Sequence, residues 1–177
     1  MSTTEQTRTL PLGTWAADTV HSEIGFNVDY MAGTFRGTFS KFDAKVDDGR
    51  LEGSAEVASV HVKDPNLEAH LQSPDFFDSE RNPQLTFASK DVQRKGDEVT
   101  VDGEITIKGD TQPITLTGTI SDPIADHFGN ERFGLKLTGS LDRTRFGVTW
   151  NNPLPTGEPA LSNEVELAAD LQLVKSS

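Results

Sequence analysis

Asp18, His21 and Ser22 place the three side-chain types of a nucleophilic hydrolase within a five-residue stretch. Such a triad needs hydroxyl, imidazole and carboxylate to converge in space. His21 and Ser22 lead into a stretch with two-residue alternation, and neighbours on a strand point to opposite faces, so they cannot converge. The expected role of His21 is a structural hydrogen bond near the closure of the fold, and no catalytic residue is expected. His61, His70 and His127 lack a short ligand spacing such as H-x-x-x-H, so no metal site is expected, and His70 is expected to anchor a short helix. Arg143 and Arg145 stand just before Phe146-Gly147. A guanidinium fork matches phosphate oxygens, so this pair could hold an anionic head group. An ion pair with an acidic neighbour is the alternative. Arg36, Lys63 and Arg81 are weaker candidates for the same task. The chain has no cysteine, which removes thiol catalysis, thiolate metal sites and disulfides.

The elements that must position these groups are mostly strands. In "HSEIGFNVDYM", Ile24, Phe26, Val28 and Tyr30 take one face, while Glu23, Asn27 and Asp29 take the other. From Thr34, Phe35, Gly37 and Phe39 share a parity that switches to Phe42, Ala44 and Val46, which predicts a bulge or sharp bend. The same period returns in Leu51–Val62, around Leu85 and Phe87, and in Val99–Ile107. It continues through Ile114–Ile120, Phe133–Leu141 and Val165–Leu173. Turns at Asp47-Asp48-Gly49, Lys95-Gly96-Asp97 and Lys108-Gly109-Asp110 join several of these segments. About eight strands with short connections predict an antiparallel sandwich or barrel. One segment breaks the period. Asp64 as N-cap and Pro65 at the first helical position, with Leu67, His70 and Leu71 at helical spacing, predict a helix over Asp64 to Gln72 that stops at Ser73-Pro74. Phe76 and Phe77 follow as an aromatic plug at one end of the sheet. "NNPLPTGEPALSN" reads as a rim loop.

The inward parities mix large residues with glycine, as in Phe35/Gly37/Phe39, Val101/Gly103/Ile105, Leu116/Gly118/Ile120 and Leu137/Gly139/Leu141. Inner glycines leave room for a ligand, for a neighbouring side chain, or for strand curvature. A barrel of about eight strands can be hollow or filled, and the pattern leaves both open.

With 177 residues the chain fits one domain, read as a flexible tail over 1–13 and a barrel over 14–177. The formal charge of -12 disfavours phosphate backbones and anionic membrane faces, so nucleic acid is not an expected partner. No apolar run is long enough to span a bilayer, and stable membrane insertion is not expected. "MSTTEQTRTLPLG" lacks the charged start and apolar run of a signal peptide, so a cytoplasmic location is expected.

Five segments, in order, resemble the YceI family of polyisoprenoid-binding barrels. They are "WAADTVHSEIGFNV", "GTFRGTFSKFDAKV", "LEAHLQSPDFFDSERNPQLTFAS", "VDGEITIKGDTQPITLTG" and "LDRTRFGV", and the likeness runs from Trp15 to about Leu173. The resemblance implies an all-β fold: an extended lipocalin-like antiparallel barrel with one or two short helices, forming a homodimer. It implies a long apolar tunnel for an isoprenoid lipid, a polyprenyl phosphate or an isoprenoid quinone, with no cofactor required. On this reading Ile24, Phe26, Val28, Tyr30, Phe35, Phe39, Phe42, Leu71, Phe76, Phe77, Phe87, Ile105, Leu116, Phe133, Leu137, Phe146 and Trp150 line the tunnel. Arg143, Arg145 and His21 are the head-group candidates. Tyr30 stands where many members of the family carry a histidine, and many members are exported. A carrier for the lipid is the first expectation. The alternatives are an enzyme using His21 or Tyr30 as acid or base on an isoprenoid or quinone, and a filled barrel with a structural role.

Overall fold

In the computed structural model, which describes residues 10–176, the alternating segments form twelve strands of one continuous antiparallel sheet. Eight of them close into a ring in the order β11 (Glu131–Asp142), β9 (Asp110–Ile120), β8 (Glu98–Ile107), β7 (Gln84–Lys95), β5 (Arg50–Glu56), β4 (Phe42–Asp47), β1 (Thr14–Ala17) and β12 (Leu161–Lys175). The seam is the long β11–β12 ladder, which runs from Arg132↔Val174 to Asp142↔Glu164. Full closure leaves this part of the sheet without edges.

Three strands are bent, and the bends shape the interior. β1 gives way to β2 (Glu23–Tyr30) at residues 18–22; both pair with β12, β1 near its C-terminus and β2 along the rest. β3 (Gly33–Phe39) gives way to β4 at Ser40-Lys41, where the inward parity switches as the sequence predicts. β5 gives way to the two-residue β6 (Val60–His61) through a 3-10 turn at Val57–Ser59. The last two bends are tied together. The Ser40 amide donates to the Ser59 carbonyl at 3.1 Å, and the Lys41 amide donates to the Ser59 hydroxyl at 3.0 Å. Above them β2, β3 and β6 continue the wall, with β3 paired to β6 only at Thr38 and Phe39.

That gap is filled by α1 (Pro65–Gln72) and the residues after it. Asp64 caps the helix by accepting from the Asn66 amide at 2.9 Å, with Pro65 next to it, where a missing N–H costs nothing. Ser73 ends it, its amide and hydroxyl both donating to the His70 carbonyl. Two tight hairpins rest on left-handed pairs, Asp48–Gly49 and Lys108–Gly109, as two-residue type I′ turns require. The short β10 (Ile124–Ala125) pairs with the start of β11.

Inward side chains form two clusters stacked along the barrel. The lower one is solid: Trp15, Val46, Val101, Phe133, Leu135, Leu137 and Leu173 are each at most 2 % exposed. Trp15 and Phe133 meet edge to face at 4.8 Å. Leu10 is fully buried in the same cluster, so the packed domain reaches at least that residue. The rest of the expected tail, residues 1–9, lies outside the described residues. The upper cluster is built on Phe26, Phe39, Leu71, Phe76 and Phe146.

Three of the four inner glycines seat neighbouring side chains, while Gly118 lies close against the Lys136 backbone of β11. A Cβ on Gly37 would meet the Phe26 ring at 2.6 Å, one on Gly103 the Phe87 ring at 2.7 Å, and one on Gly139 the Leu116 methyl at 2.6 Å. Each of these three glycines therefore leaves room for a large residue of the adjoining strand.

Candidate functional site

The upper half of the barrel holds a cavity of about 420 Å³. Its walls come from strand positions of a single parity. Phe26 and Val28 on β2 stand beside Val165 and Leu167 on β12, and Phe35 and Phe39 on β3 continue the wall. Leu85, Ile107 and Leu141 close the far side. Leu71 of α1 and the plug residues Phe76 and Phe77 cover what the strands leave open. Phe77 reaches inward to Phe26 at 6.5 Å and Phe39 at 6.0 Å, both edge to face. His70 stands edge to face with Phe76 and with Trp150, each at 4.9 Å, which joins α1 to the rim loop.

Polar side chains gather at one end. Tyr30 is the last residue of β2, Arg143 follows β11 directly, and Asp64 and Asn66 lie at the start of α1; all four line the cavity. Tyr30 pairs with Leu161, the first residue of β12, which places these element ends together at the mouth. Polar rim and apolar wall form a shape suited to a molecule with a hydrocarbon body and one polar end.

Arg143 is the buried charge of the site, 5 % exposed. It sits in a 3-10 turn, Arg143–Phe146, started by Asp142, whose carboxylate accepts from the Thr144 amide and hydroxyl. The Thr144 hydroxyl and amide hold the Asp142 carboxyl below its ordinary pKa, and burial pushes the Arg143 guanidinium below its own. The Arg143 Nε–H donates to the Ser162 carbonyl at 2.8 Å, and Nη1 donates to the carbonyls of Val148 and Trp150, each at 2.8 Å. Nη2 makes only a long contact of 3.4 Å with the Leu161 carbonyl. Among the described residues no carboxylate pairs with it within salt-bridge distance. The guanidinium therefore fastens the rim loop to β12 and keeps donor capacity at the cavity wall. Asn151 completes the rim, its side-chain oxygen accepting from the amides of Asn152, Ala160 and Leu161.

Of the residues expected at the tunnel, the fold brings Phe26, Val28, Tyr30, Phe35, Phe39, Leu71, Phe76, Phe77, Phe146 and Trp150 to this cavity, with Arg143 at its mouth. Ile24, Phe42, Phe87 and Leu116 point inward one level lower, between the two clusters, and Ile105 is buried in the upper cluster without lining the cavity. Phe133 and Leu137 lie in the filled lower half. Arg145 is exposed and outside the cavity lining. His21 is exposed and bonded to Asp18 at 2.7 Å, away from the lining. Asp18 in turn meets Arg132, which grips Asp126 through Nε and Nη2 at 3.1 and 2.9 Å, so this group clamps β1, β10 and β11.

Sequence reasoning missed Asp64, Asn66, Leu67, His70, Leu85, Ile107, Leu141, Val148, Leu161, Val165 and Leu167 as lining residues. Leu141, Val165 and Leu167 carry the right signal, the inward parity of their strands. Asn66, Val148 and Leu161 lie at element ends, where no period marks a face. Among the described residues no cluster of three or more His, Asp or Glu is placed to hold a metal ion. No helix among them is long and apolar enough to cross a membrane.

A YceI-like domain model matches residues 15–173, nearly the whole barrel. The chain belongs to the YceI-like family. The YceI-like chain is 30% identical to a UPF0312 protein of Staphylococcus epidermidis, over 88% of this chain and 94% of that one. Among solved structures it resembles Burkholderia cenocepacia BcnA, with a TM-score of 0.75 at 25% identity, covering 88% of this chain and 98% of that one. A polyisoprenoid binding domain from Saccharophagus degradans, implicated in plant cell wall breakdown, shares the fold with a TM-score of 0.62 at 12% identity, over 90% of this chain and 97% of that one.

Proposed function

We propose that this YceI-like protein binds an isoprenoid lipid, a polyprenyl phosphate or an isoprenoid quinone, and carries it without transforming it or needing a cofactor. The hydrocarbon tail lies in the upper cavity, and the polar head stays at the mouth beside Tyr30 and Arg143. The observation that carries the reading is the division of the cavity into apolar walls and a polar rim. Each methylene-sized unit buried against such walls is worth about 0.8 kcal/mol, so a prenyl tail can be held with little polar chemistry. The likeness to a polyisoprenoid binding domain supports the same class of ligand. The enzyme alternative loses its histidine, because His21 lies outside the cavity lining.

The test is native mass spectrometry of freshly purified protein, followed by organic extraction and lipid mass spectrometry. The expected result is a mass excess that disappears on denaturation and yields a prenyl lipid in the extract. Protein that carries no lipid and takes up none when offered farnesol would overturn the reading. Turnover of the captured lipid would transfer the site to the enzyme class.

A further inference from the structure

The cavity stops half-way down the barrel, and the stop has identifiable parts. Four inward residues form a belt below the cavity lining. Below Phe26 on β2 comes Ile24, below Leu85 on β7 comes Phe87, and Leu116 on β9 and Phe42 on β4 join them. These four pack against both core clusters. Two are held by glycine seats on the adjoining strand, Phe87 over Gly103 and Leu116 over Gly139. The lower cluster follows directly, its buried side chains at most 4 % exposed.

We propose that the belt of Ile24, Phe42, Phe87 and Leu116 sets the length of prenyl chain the protein accepts, limiting it to about two isoprene units. The inference rests on the reading of the cavity as a prenyl site. The lining runs four steps along β2, from Phe26 to Tyr30, and the paired stretch of β12 runs from Leu167 to Leu161, with a bulge between Leu161 and Val165 taking up the extra residues. At roughly 3.4 Å per step this ladder is about 14 Å long. Strands in such barrels tilt by about 35–45°, which leaves a depth of about 10–11 Å along the axis. An extended isoprene unit, four chain bonds of about 1.5 Å in zigzag, advances about 5 Å. About two units therefore fill the space between rim and belt. A third unit must stay outside the mouth or displace the belt from its glycine seats. A volume of about 420 Å³ is of the same order as sites for single small ligands.

The test is the affinity series geraniol, farnesol and geranylgeraniol, of two, three and four units, read by quenching of tryptophan emission. Trp150 lines the cavity and reports entry. Affinity is expected to rise by less than fivefold from geraniol to farnesol, and again by less than fivefold from farnesol to geranylgeraniol. A gain of fivefold or more at either step overturns the stop. Failure of all three alcohols to bind overturns the prenyl reading itself. Leu116→Ala and Phe87→Leu each open the belt from a different strand. In whichever of them folds, the gain from geraniol to farnesol is expected to reach fivefold or more. A folded variant that keeps the wild-type pattern overturns the assignment of its residue to the stop.

Discussion

Val28→Asp and Val101→Asp put the same carboxylate into the two halves of one barrel, and they should have opposite consequences. Val28 is 6 % exposed, lines the cavity and stands between Val165 and Phe35 in the ladder. Val101 is fully buried in the lower cluster. Losing the burial of a valine costs about 1.5–2 kcal/mol at either site. The difference lies in what the charge meets. At Val28 the cavity has room for roughly 14 waters at about 30 Å³ each, enough to hydrate a carboxylate once any lipid has left. At Val101 nothing can hydrate it, and an unpaired buried carboxylate adds several kcal/mol. Val28→Asp is therefore expected to fold, destabilised by about 2 kcal/mol, and to purify without lipid. Val101→Asp should lose about 5 kcal/mol or more, or fail to fold. Thr117→Asp, exposed on the outer face of β9 between Thr100 and Thr138, is the control that should keep both stability and lipid. Urea unfolding followed by circular dichroism gives the stabilities, and lipid extraction gives the occupancy. Equal destabilisation of the Val28 and Val101 variants, or a Val28 variant that retains its lipid, would refute the division into a wet upper and a dry lower half.

Arg143→Lys keeps the charge but cannot span the carbonyls of Val148, Trp150 and Ser162, so it should cost about 2–4 kcal/mol in urea unfolding. Gly103→Ala sets a methyl against the Phe87 ring and the Ala88 carbonyl, neither of which can move away freely, and a loss of about 1–3 kcal/mol is expected by the same assay. Acid stability should depend on the lower clamp. The His21 hydrogen bond lowers the Asp18 carboxyl pKa, and the Asn130 amide, then Phe128 and Arg132, lower that of Asp126. Stability from such groups is complete above the unfolded pKa of about 3.9 and is lost as pH falls through the folded values. Asp126→Asn should therefore lower the urea midpoint at neutral pH and flatten its decline below about pH 4. An unchanged acid limb would show that the clamp adds no pH-dependent stability.

Much of the architecture was legible in the residues. Alternation marks the long strands because each has one dry and one wet face. The parity switch between Phe39 and Phe42 locates a bend, since a strand can change its inward set only by leaving the pleat. Asp64 and Pro65 mark the helix start through backbone hydrogen bonding alone. The site was less legible for physical reasons. Parity says that Phe133 and Phe26 both face inward, but whether an inward ring borders a void or a neighbour depends on the strands across the barrel. Gly37, Gly103 and Gly139 are ambiguous for the same reason, because the side chain that fills each seat comes from another strand. Arg143 carries a signal for a head group. Its carbonyl partners lie between five and nineteen residues away, beyond any local pattern.

The ring of eight strands closes only below the three bends, and above them α1 stands in for missing ladder bonds on the β6 side of β3. The two storeys therefore differ in how they can come apart. Lifting the helical segment breaks side-chain contacts and a few loop hydrogen bonds, while the seam between β11 and β12 and the rest of the ring stay intact. Amide exchange should divide along the same line. Amides of α1 and the rim loop should exchange through partial opening, and those of β8 and of β11 below Gly139 only when the whole domain unfolds. A guest can then enter or leave through a fluctuation far smaller than global denaturation, and the base of the barrel keeps the record of the fold while its top is ajar.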